Sequence, residues 1–548
     1  MQQSEFMLNQ RPGVTSARGA KAWLRELPLS DARSAHHAVV AMLSEWEETP
    51  TAPLARLEIL ETVRGHVAEI DAQYAARYAE KPLPLGIQER NAFQHAQVLW
   101  RSMAAAYLEC FEASLEDAVD LAPHRALCLA RAGAYFCQTL MGRLRSGQAQ
   151  DADLCDDLEH LAELAAEHEV LDVIVRDSLH PRGCTNVAAT YRRALFIAQV
   201  GSGVTGRTRQ AMFELAHQWE GKSRFATPLQ ASGASATTLV DGERRRLRAF
   251  RFGQRRRVLD VTRLSRSIRR RLRKLEQGAT FEDLRLPEAF RQLPVREVLT
   301  RLHALWCESA ETRTESRMGG LPAGGAPAPQ KLSVSFTQDG FESMYFMIAG
   351  EAFALGENDP TSRRRYDELF VFQGASQARE ENRGLEAVRS FEDWEIIDQS
   401  ASGFRLRRPS PGARFRPGQL MAMRLRLSGD DGPVVLAQVR HVTEPQPGAA
   451  QARPGTIEAG VELLKGKPHA IGVRATGLNA QNGGEFKAAF RLGSLFANET
   501  SCLALPVGWF KAERVVEIHD SGRNQRVRMV ALLDRGVDFE HVEVALST

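Results

Sequence analysis

The chain has 548 residues, a mass of 60.8 kDa and a formal charge of +3 at pH 7. This length is enough for about three or four domains. No apolar run approaches the roughly 20 residues that a membrane helix needs, and the first residues lack a signal-peptide pattern. The seven cysteines are scattered without a CxxC pair, which excludes a secreted disulfide scaffold and a structural zinc protein. We therefore expect a cytoplasmic protein with reduced thiols and no membrane span.

Residues 1–220 carry the apolar periodicity of α-helices. In the clearest stripe, Leu57, Leu60, Val63 and Val67 follow one another at intervals of three or four residues, which places them on one helical face. The segment Pro82-Leu83-Pro84 should end this helix, because proline lacks the backbone donor that a helix interior needs. Similar stripes recur as far as residue 220, without a fixed repeat period. We predict an irregular helical bundle over residues 1–220.

Residues 221–311 are predicted to form a linker followed by a basic helical region. Between Arg244 and Lys274 there are 14 arginines and one lysine against one acid, Asp260. An apolar stripe predicts a helix here, with Asp260 as its N-cap and Gly278 at its end. The arginines of 244–274 would then lie on solvated faces and pair with the acidic remainder of the chain or contact a protein. Binding of nucleic acid through them is the less favoured alternative.

Residues 312–331 are rich in glycine and proline and form the clearest predicted domain boundary. Beyond them the apolar period approaches two, and turn residues separate many short strands. We assign residues 332–478 to one β-barrel with its preceding segment, and residues 479–548 to a C-terminal β segment or a second small barrel. The predicted fold class is multidomain α+β, with an α-helical N-terminal half and a β-barrel-rich C-terminal half.

The sequence contains no convincing enzyme motif. Gly201–Gly206 matches the GxGxxG pattern of dinucleotide-binding proteins, but the residues before it are typical of an amphipathic helix, not of a buried strand. Gly221-Lys222-Ser223 has the ending of a phosphate-binding loop, but Ala216 stands where its first glycine belongs. No histidine, cysteine and acid spacing predicts a metal site. We predict no catalytic residues, no metal and no enzymatic activity.

One motif points to a ligand. Residues 398–403, Asp-Gln-Ser-Ala-Ser-Gly, fit the pattern (D/N)xSxxG at the junction of two predicted strands. The Asp398 carboxylate can accept hydrogen bonds from a guanine edge or orient an arginine, and the Ser400 hydroxyl can bond a phosphate or a base. Gly403 allows a tight turn and the close approach of a ligand.

The surroundings of this motif resemble the PilZ domain, a bacterial β-barrel module that binds cyclic di-GMP. The resemblance covers about residues 375–478 and includes Arg416–Leu420, Ala437–Val442 and Ala459–Leu464, which are similar to three strands of the family. PilZ domains carry an RxxxR element before the barrel, and Arg379 and Arg383 have that spacing here. The resemblance implies nucleotide binding by Arg379, Arg383, Asp398, Ser400 and Gly403, with cyclic di-GMP as ligand and no cofactor.

The predicted function is that of a bacterial cyclic di-GMP receptor that couples nucleotide binding to altered contacts of a helical region with an unidentified protein partner. Two alternatives remain open. Only 14 residues separate Arg383 from Asp398, and Glu380 and Glu381 lie between the two arginines; both features favour a PilZ-like interaction scaffold without a ligand. The other alternative is a nucleic-acid-binding protein that acts through residues 244–274.

Overall fold

The computed structural model describes most of the chain. It covers residues 14–308 with gaps at 49–50, 117–118, 149–150, 201–203, 227–237, 241–242 and 253–254. It then covers 318–319, 331–336, 341–351, 353 and 392–547, the last with gaps at 401, 411, 428–429, 445–454, 477–484, 494–500 and 521. The chain divides into a first unit of Met1–Lys81 and Leu85–Arg313, and a second unit of Pro82–Pro84 and Thr314–Thr548.

The first unit is mainly helical, as the periodicity predicts. Its helices are α1 Ala17–Glu26, α2 Ala32–Glu48, α3 Pro53–Tyr78, α4 Ile87–Ala113, α5 Arg125–Arg145, α6 Ala152–Glu167, α7 Val187–Val200, α8 Gly206–Trp219, α9 Thr262–Glu276, α10 Phe281–Leu284 and α11 Val295–Cys307. Short 3-10 helices lie at Val119–His124, Glu220–Lys222 and Glu288–Phe290. Two short strands, β1 Val175–Arg176 and β2 Cys184–Thr185, form a hairpin.

Helix α7 lies in the core of this unit. Among its residues only Gln199 is not buried, so the helix is enclosed on all sides by its neighbours. The Nε1–H of Trp306, on α11, donates to the carbonyl oxygen of Phe196 at 3.0 Å. The segment that precedes Gly201–Gly206 is thus a helix, and this confirms that the glycine motif does not follow a strand.

A buried ionic network joins α3, α5 and the loop that follows β1. The Arg64 Nη2–H donates to Asp177 Oδ1 at 2.8 Å, and Arg131 Nη1 lies 3.1 Å from Asp177 Oδ2. Arg131 also donates to Glu61 at 2.9 Å, and the Tyr107 hydroxyl donates to the same carboxylate at 2.6 Å. Because each buried charge has an opposite charge beside it, the network satisfies the requirement that buried ions be paired.

The basic region contains strands as well as a helix, which differs from the predicted linker. Strands β3 Arg224–Phe225, β6 Leu247–Phe252 and β7 Arg255–Asp260 form a three-stranded sheet, and β4 Thr238–Val240 pairs with β5 Glu243–Arg245. Phe250 and Leu259 are fully buried. In the sequence, the many arginines around these two residues obscure the apolar pattern of a strand. Val261 is the N-cap of α9, while the predicted cap Asp260 accepts the Thr262 N–H at 3.0 Å.

The second unit begins with a ring of six antiparallel strands, which we call barrel 1. Its strands are β9 Lys331–Phe336, β10 Glu392–Ser400, β11 Gly403–Pro409, β12 Leu420–Leu427, β13 Asp430–Thr443 and β14 Thr456–Leu463. The order β9-β10-β11-β14-β13-β12 returns to β9, and this pairing closes the ring. A further strand, β8 Met318–Gly319, pairs with β10.

The rest of this unit is a closed barrel, barrel 2. Its strands are β15 Lys467–Ala475, β16 Lys487–Gly493, β17 Ser501–Pro506, β18 Val515–Asp520, β19 Arg523–Arg535 and β20 Phe539–Leu546. Inward residues such as Ile471, Leu503 and Val542 are fully buried and form its core. Helix α12, Phe341–Ala349, packs between the two barrels, and Met344 shares a buried cluster with Leu420 of barrel 1 and Phe490 of barrel 2.

Candidate functional site

The hairpin of β10 and β11 holds three of the five predicted nucleotide-binding residues. Ser400 and Gly403 are the last paired residues before the turn, and Asp398 lies opposite Arg405. The Ser400 Oγ–H donates to the Gly403 carbonyl oxygen at 3.3 Å, so its lone pairs remain able to accept a hydrogen bond. The other two predicted residues, Arg379 and Arg383, lie outside the described residues.

Gly403 is required by the packing of the backbone. A Cβ atom at this position would lie 1.9 Å from the carbonyl oxygen of Val461 on β14. That separation is far below any real contact, so no side chain fits where the two strands meet. The glycine of the DxSxxG pattern therefore has a structural reason that is independent of any ligand.

Four residues form a row across the outer face of barrel 1. Asp398 on β10 is paired with Arg405 on β11, Arg405 with Gly460 on β14, and Gly460 with His441 on β13. Residues directly opposite one another in antiparallel strands point to the same side of the sheet. The alternate residues Leu406, Ala459 and Val439 are buried, so the row lies on the side away from the barrel core.

Two arginines of this face clamp one glutamate. Arg405 donates through Nε and Nη2 to Glu458 Oε2 at 3.1 and 2.6 Å. Arg407 donates through the same two nitrogens to Oε1 at 3.0 and 2.7 Å. Two guanidinium groups thus share one carboxylate as their partner. Arg405 is 38% exposed, Arg407 12% and Glu458 5%, so Arg405 is the arginine that can present its planar face to a ligand.

Gly460 has no side chain and so leaves room for the imidazole ring of His441, its neighbour in the same row. A Cβ atom on Gly460 would lie 1.9 Å from His441 Cε1, which shows that the ring lies over the glycine. A bulge at Arg440 interrupts the register between Val439 and His441 and brings the ring to this side. The outer face thus offers a carboxylate, a guanidinium group and an imidazole at adjacent positions.

Arg405, Arg407 and Glu458 are not among the site residues predicted from the sequence. The alternation of Arg405 and Arg407 along one strand is visible in the sequence, and it places both on one face. Their common partner Glu458 lies about 50 residues further on, and only the register of β11 against β14 identifies it.

A second polar cluster lies in the first unit, where His180, His217 and Glu220 bring three potential metal ligands within 4.8 Å of one another. The His180 Nδ1 accepts the Arg182 N–H at 3.1 Å, so the ring proton lies on Nε2, which donates to Glu220 Oε1 at 3.0 Å. Arg193 Nη1 lies 3.5 Å from the other carboxylate oxygen. Because Nε2 carries a proton and a guanidinium group already neutralises Glu220, this cluster is arranged as a hydrogen-bonded structural centre.

The neighbouring His217 is held neutral. Burial, Arg193 and His180 all lower the pKa of its imidazole, and its Nε2 is buried without a hydrogen-bond partner among the described residues. Glu220 follows the Gly201–Gly206 motif by about the number of residues that separates the glycines of a dinucleotide-binding protein from its ribose-binding acid. It is buried, however, and hydrogen-bonded within this cluster. Neither residue is placed to contact a nucleotide.

Comparison with known proteins identifies a relationship for the helical part of the chain. Residues 18–229 match the family model of the N-terminal domain of the cyclic-di-GMP receptor FimW. The match covers less than half of the chain, and barrel 1 and barrel 2 lie outside it. No curated protein matches the sequence.

This similarity is to a receptor, a protein that binds a ligand rather than transforming it. It concerns the helical region and not residues 375–478, where the sequence resembles a PilZ domain. Among the described residues, no helix is long and apolar enough to cross a membrane.

Proposed function

We propose that this protein is a bacterial cyclic di-GMP receptor of the PilZ type, in which barrel 1 binds the nucleotide and the helical unit contacts a protein partner. Two separate features support it. The helical region is similar to the N-terminal domain of a cyclic di-GMP receptor, and the DxSxxG hairpin belongs to a six-stranded antiparallel ring. The first feature suggests the ligand and the second suggests where it binds.

The observation that carries the proposal is the row of polar side chains on the outer face of barrel 1. Cyclic di-GMP has two guanine bases and two phosphates. A carboxylate at Asp398 can accept hydrogen bonds from the donors on a guanine edge, and the exposed face of Arg405 can stack on a base. The phosphates would be bound by Arg379 and Arg383, since guanidinium groups pair with phosphate through two parallel hydrogen bonds.

The proposed output is a change in partner binding. Nucleotide bound by residues before and within barrel 1 would alter the contacts of the helical unit with its partner. Such coupling requires that the nucleotide bind one arrangement of the protein more tightly than another. The same condition means that the partner changes the affinity for the nucleotide by an equal factor.

A scaffold without a ligand is the second candidate. The steric need for glycine at 403 and the hydrogen bond from Ser400 to the Gly403 carbonyl would keep much of the motif in place even if binding were lost. Under this alternative, barrel 1 serves only as a docking surface.

Calorimetric titration of cyclic di-GMP into the full chain separates the two candidates. We expect micromolar or tighter binding, its loss in Asp398→Ala and in Arg383→Ala, and no change in Asp153→Ala, which removes an exposed carboxylate from α6. Binding that survives Arg383→Ala but not Asp398→Ala would show that other arginines contact the phosphates. The absence of heat and of a thermal shift at millimolar nucleotide would contradict the receptor and favour the scaffold.

A further inference from the structure

One face of α9 carries four exposed arginines in a single stripe. Arg263, Arg266, Arg270 and Arg273 follow one another at intervals of three, four and three residues, and all four are exposed. Positions with this spacing lie on one side of a helix. We call these four residues the arginine stripe; it extends for about 15 Å along the helix at 1.5 Å per residue.

The opposite face of α9 anchors the helix. Leu264 and Ile268 are fully buried, and the Ser265 hydroxyl lies 2.8 Å from the Nε2 of His303, on α11. The helix is therefore fixed by its apolar side within the first unit, which leaves the arginine stripe directed to solvent.

Two other arginines of this region have partners. Arg257 forms ion pairs with Glu159 and Glu163, and Arg271 donates to the Leu284 carbonyl oxygen at 2.8 Å. Within the described part of the chain, none of the four arginines of the stripe forms an ion pair or a side-chain hydrogen bond. Among the described residues these four arginines therefore lack the acidic partner that the sequence led us to expect, and the alternative expectation, contact with a protein, stays a prediction.

The surroundings of the stripe add further positive charge. Burial and then Arg270 and Arg285 lower the pKa of Arg271, and burial and then Arg271 lower the pKa of Lys222 to about 8. The Lys222 ammonium group donates to the hydroxyl of Ser267, on α9, at 2.7 Å. The single acid of α9, Glu276, is paired with Arg296 at 3.0 Å, so no carboxylate of the helix offsets the stripe.

We propose that the arginine stripe binds the sugar–phosphate backbone of a nucleic acid without reading its sequence. Backbone contacts need closely spaced cations and nothing else, and guanidinium groups match phosphate geometry. A protein partner would call for aromatic or apolar anchors at the centre of the interface, and the exposed positions of α9 are arginines, Glu276 and nothing apolar. The buried apolar face likewise leaves no side chain to insert into a membrane.

Fluorescence anisotropy of a labelled DNA duplex of arbitrary sequence, about 25 base pairs long, tests this proposal with the full chain. Four phosphate contacts predict a slope of about −3.6 for the logarithm of affinity against the logarithm of salt concentration. The variant R263Q/R266Q/R270Q/R273Q should lose at least about tenfold in affinity at 50 mM salt, with a correspondingly shallower slope. A duplex of unrelated sequence should bind equally well.

The matched control is R18Q/R25Q/R33Q/R77Q, which removes the same charge from four exposed arginines on α1, α2 and α3. It should retain most of the affinity, and the lysine variant R263K/R266K/R270K/R273K should retain binding because the charge is kept. Circular dichroism and cyclic di-GMP titration of each variant report folding and the nucleotide site separately. A loss of duplex binding can therefore be distinguished from a loss of nucleotide binding by barrel 1.

Three results would overturn the inference. One is the absence of duplex and RNA binding at 50 mM salt. Another is an equal loss of affinity in the stripe variant and the control, which would assign binding to net charge alone. The third is stripe-dependent binding of vesicles containing phosphatidylglycerol, or of an acidic protein, without binding of nucleic acid.

Discussion

Gly403 is a residue at which sequence pattern and steric requirement coincide. A methyl group there would collide with the Val461 carbonyl oxygen, which is part of the backbone and cannot move without shifting β14. We expect Gly403→Ala to lower the free energy of unfolding of the second unit by about 1–3 kcal/mol, the usual cost of overpacking. Urea unfolding followed by circular dichroism measures this.

The control is Gly493→Ala, in barrel 2, where a Cβ atom would meet only His469 at an ordinary 3.8 Å. A loss of stability in Gly403→Ala no greater than in this control would show that β11 and β14 tolerate the extra carbon.

Asp177 is the residue on which the buried ionic network of the first unit depends. Burial opposes its ionisation, but Arg64 and Arg131 lower the pKa of the carboxyl group below its ordinary value. Replacement by alanine leaves two buried guanidinium groups without this counter-ion. We predict that Asp177→Ala destabilises the first unit by about 3–5 kcal/mol, measured as a shift of the thermal unfolding midpoint. Asp156→Ala on the exposed side of α6 should change stability little, and equal effects in the two variants would contradict the assignment.

His36 makes the stability of the first unit depend on pH. Burial, together with the neighbouring His95 and His37, lowers the pKa of its imidazole to about 4. An unfolded histidine takes up its proton near pH 6.5, so between about pH 6.5 and 4 the unfolded chain binds more protons than the folded one. Stability should therefore fall as pH falls through this window, and unfolding free energies measured across it should show the slope.

The variant His36→Phe removes the titrating group and keeps an aromatic ring, so it should flatten part of that slope. Replacement of the exposed His160 by glutamine should leave the slope as it is. An unchanged slope in His36→Phe would assign the pH dependence to other groups, among them His217, whose pKa is also lowered.

At the scale of elements, the strands after residue 392 were predictable because their signals are local. The strand-like segment Ala437–Val442 lies within the observed Asp430–Thr443, and Ala459–Leu464 overlaps the observed Thr456–Leu463. Alternating apolar residues and turn residues mark such strands without reference to the rest of the chain. Strand β9 was missed, since Lys331–Phe336 directly follows the glycine- and proline-rich linker.

The candidate site was predictable only in part, because only some of its contacts have a local signal in the sequence. Asp398, Ser400 and Gly403 belong to one hairpin, so their proximity follows from the sequence. The clamp of Glu458 by Arg405 and Arg407 depends on the pairing of β11 with β14, and the closure of barrel 1 depends on the pairing of β9 with both β10 and β12. Neither pairing has a local signal.

Helix α12 is the element that joins the two barrels of the second unit. Phe341 stacks on Phe490 of barrel 2 with ring centroids 5.4 Å apart, and Met344 is fully buried between the barrels. We predict that Met344→Ala costs about 2–5 kcal/mol, the range for removal of a buried methionine side chain. Scanning calorimetry of the full chain should show this loss, whereas Leu546→Ala, which truncates an exposed side chain, should be near neutral. Equal unfolding temperatures in the two variants would contradict a joining role for α12.

At the scale of the whole molecule, the chain combines a helical unit similar to part of a cyclic di-GMP receptor with a unit of two barrels. The proposed function assigns partner binding to the first unit and nucleotide binding to the second. Coupling between them requires that a small ligand on barrel 1 change the first unit measurably. One experiment on the intact protein can test for such a change.

The most direct measurement is hydrogen–deuterium exchange of the full chain with and without saturating cyclic di-GMP. We predict slower exchange in the hairpin of β10 and β11 and in the residues around Arg379 and Arg383, together with altered exchange in the helical unit. Asp398→Ala should abolish both changes. Exchange that cyclic di-GMP leaves unaltered throughout the chain, or alters only outside barrel 1, would contradict the proposed nucleotide site.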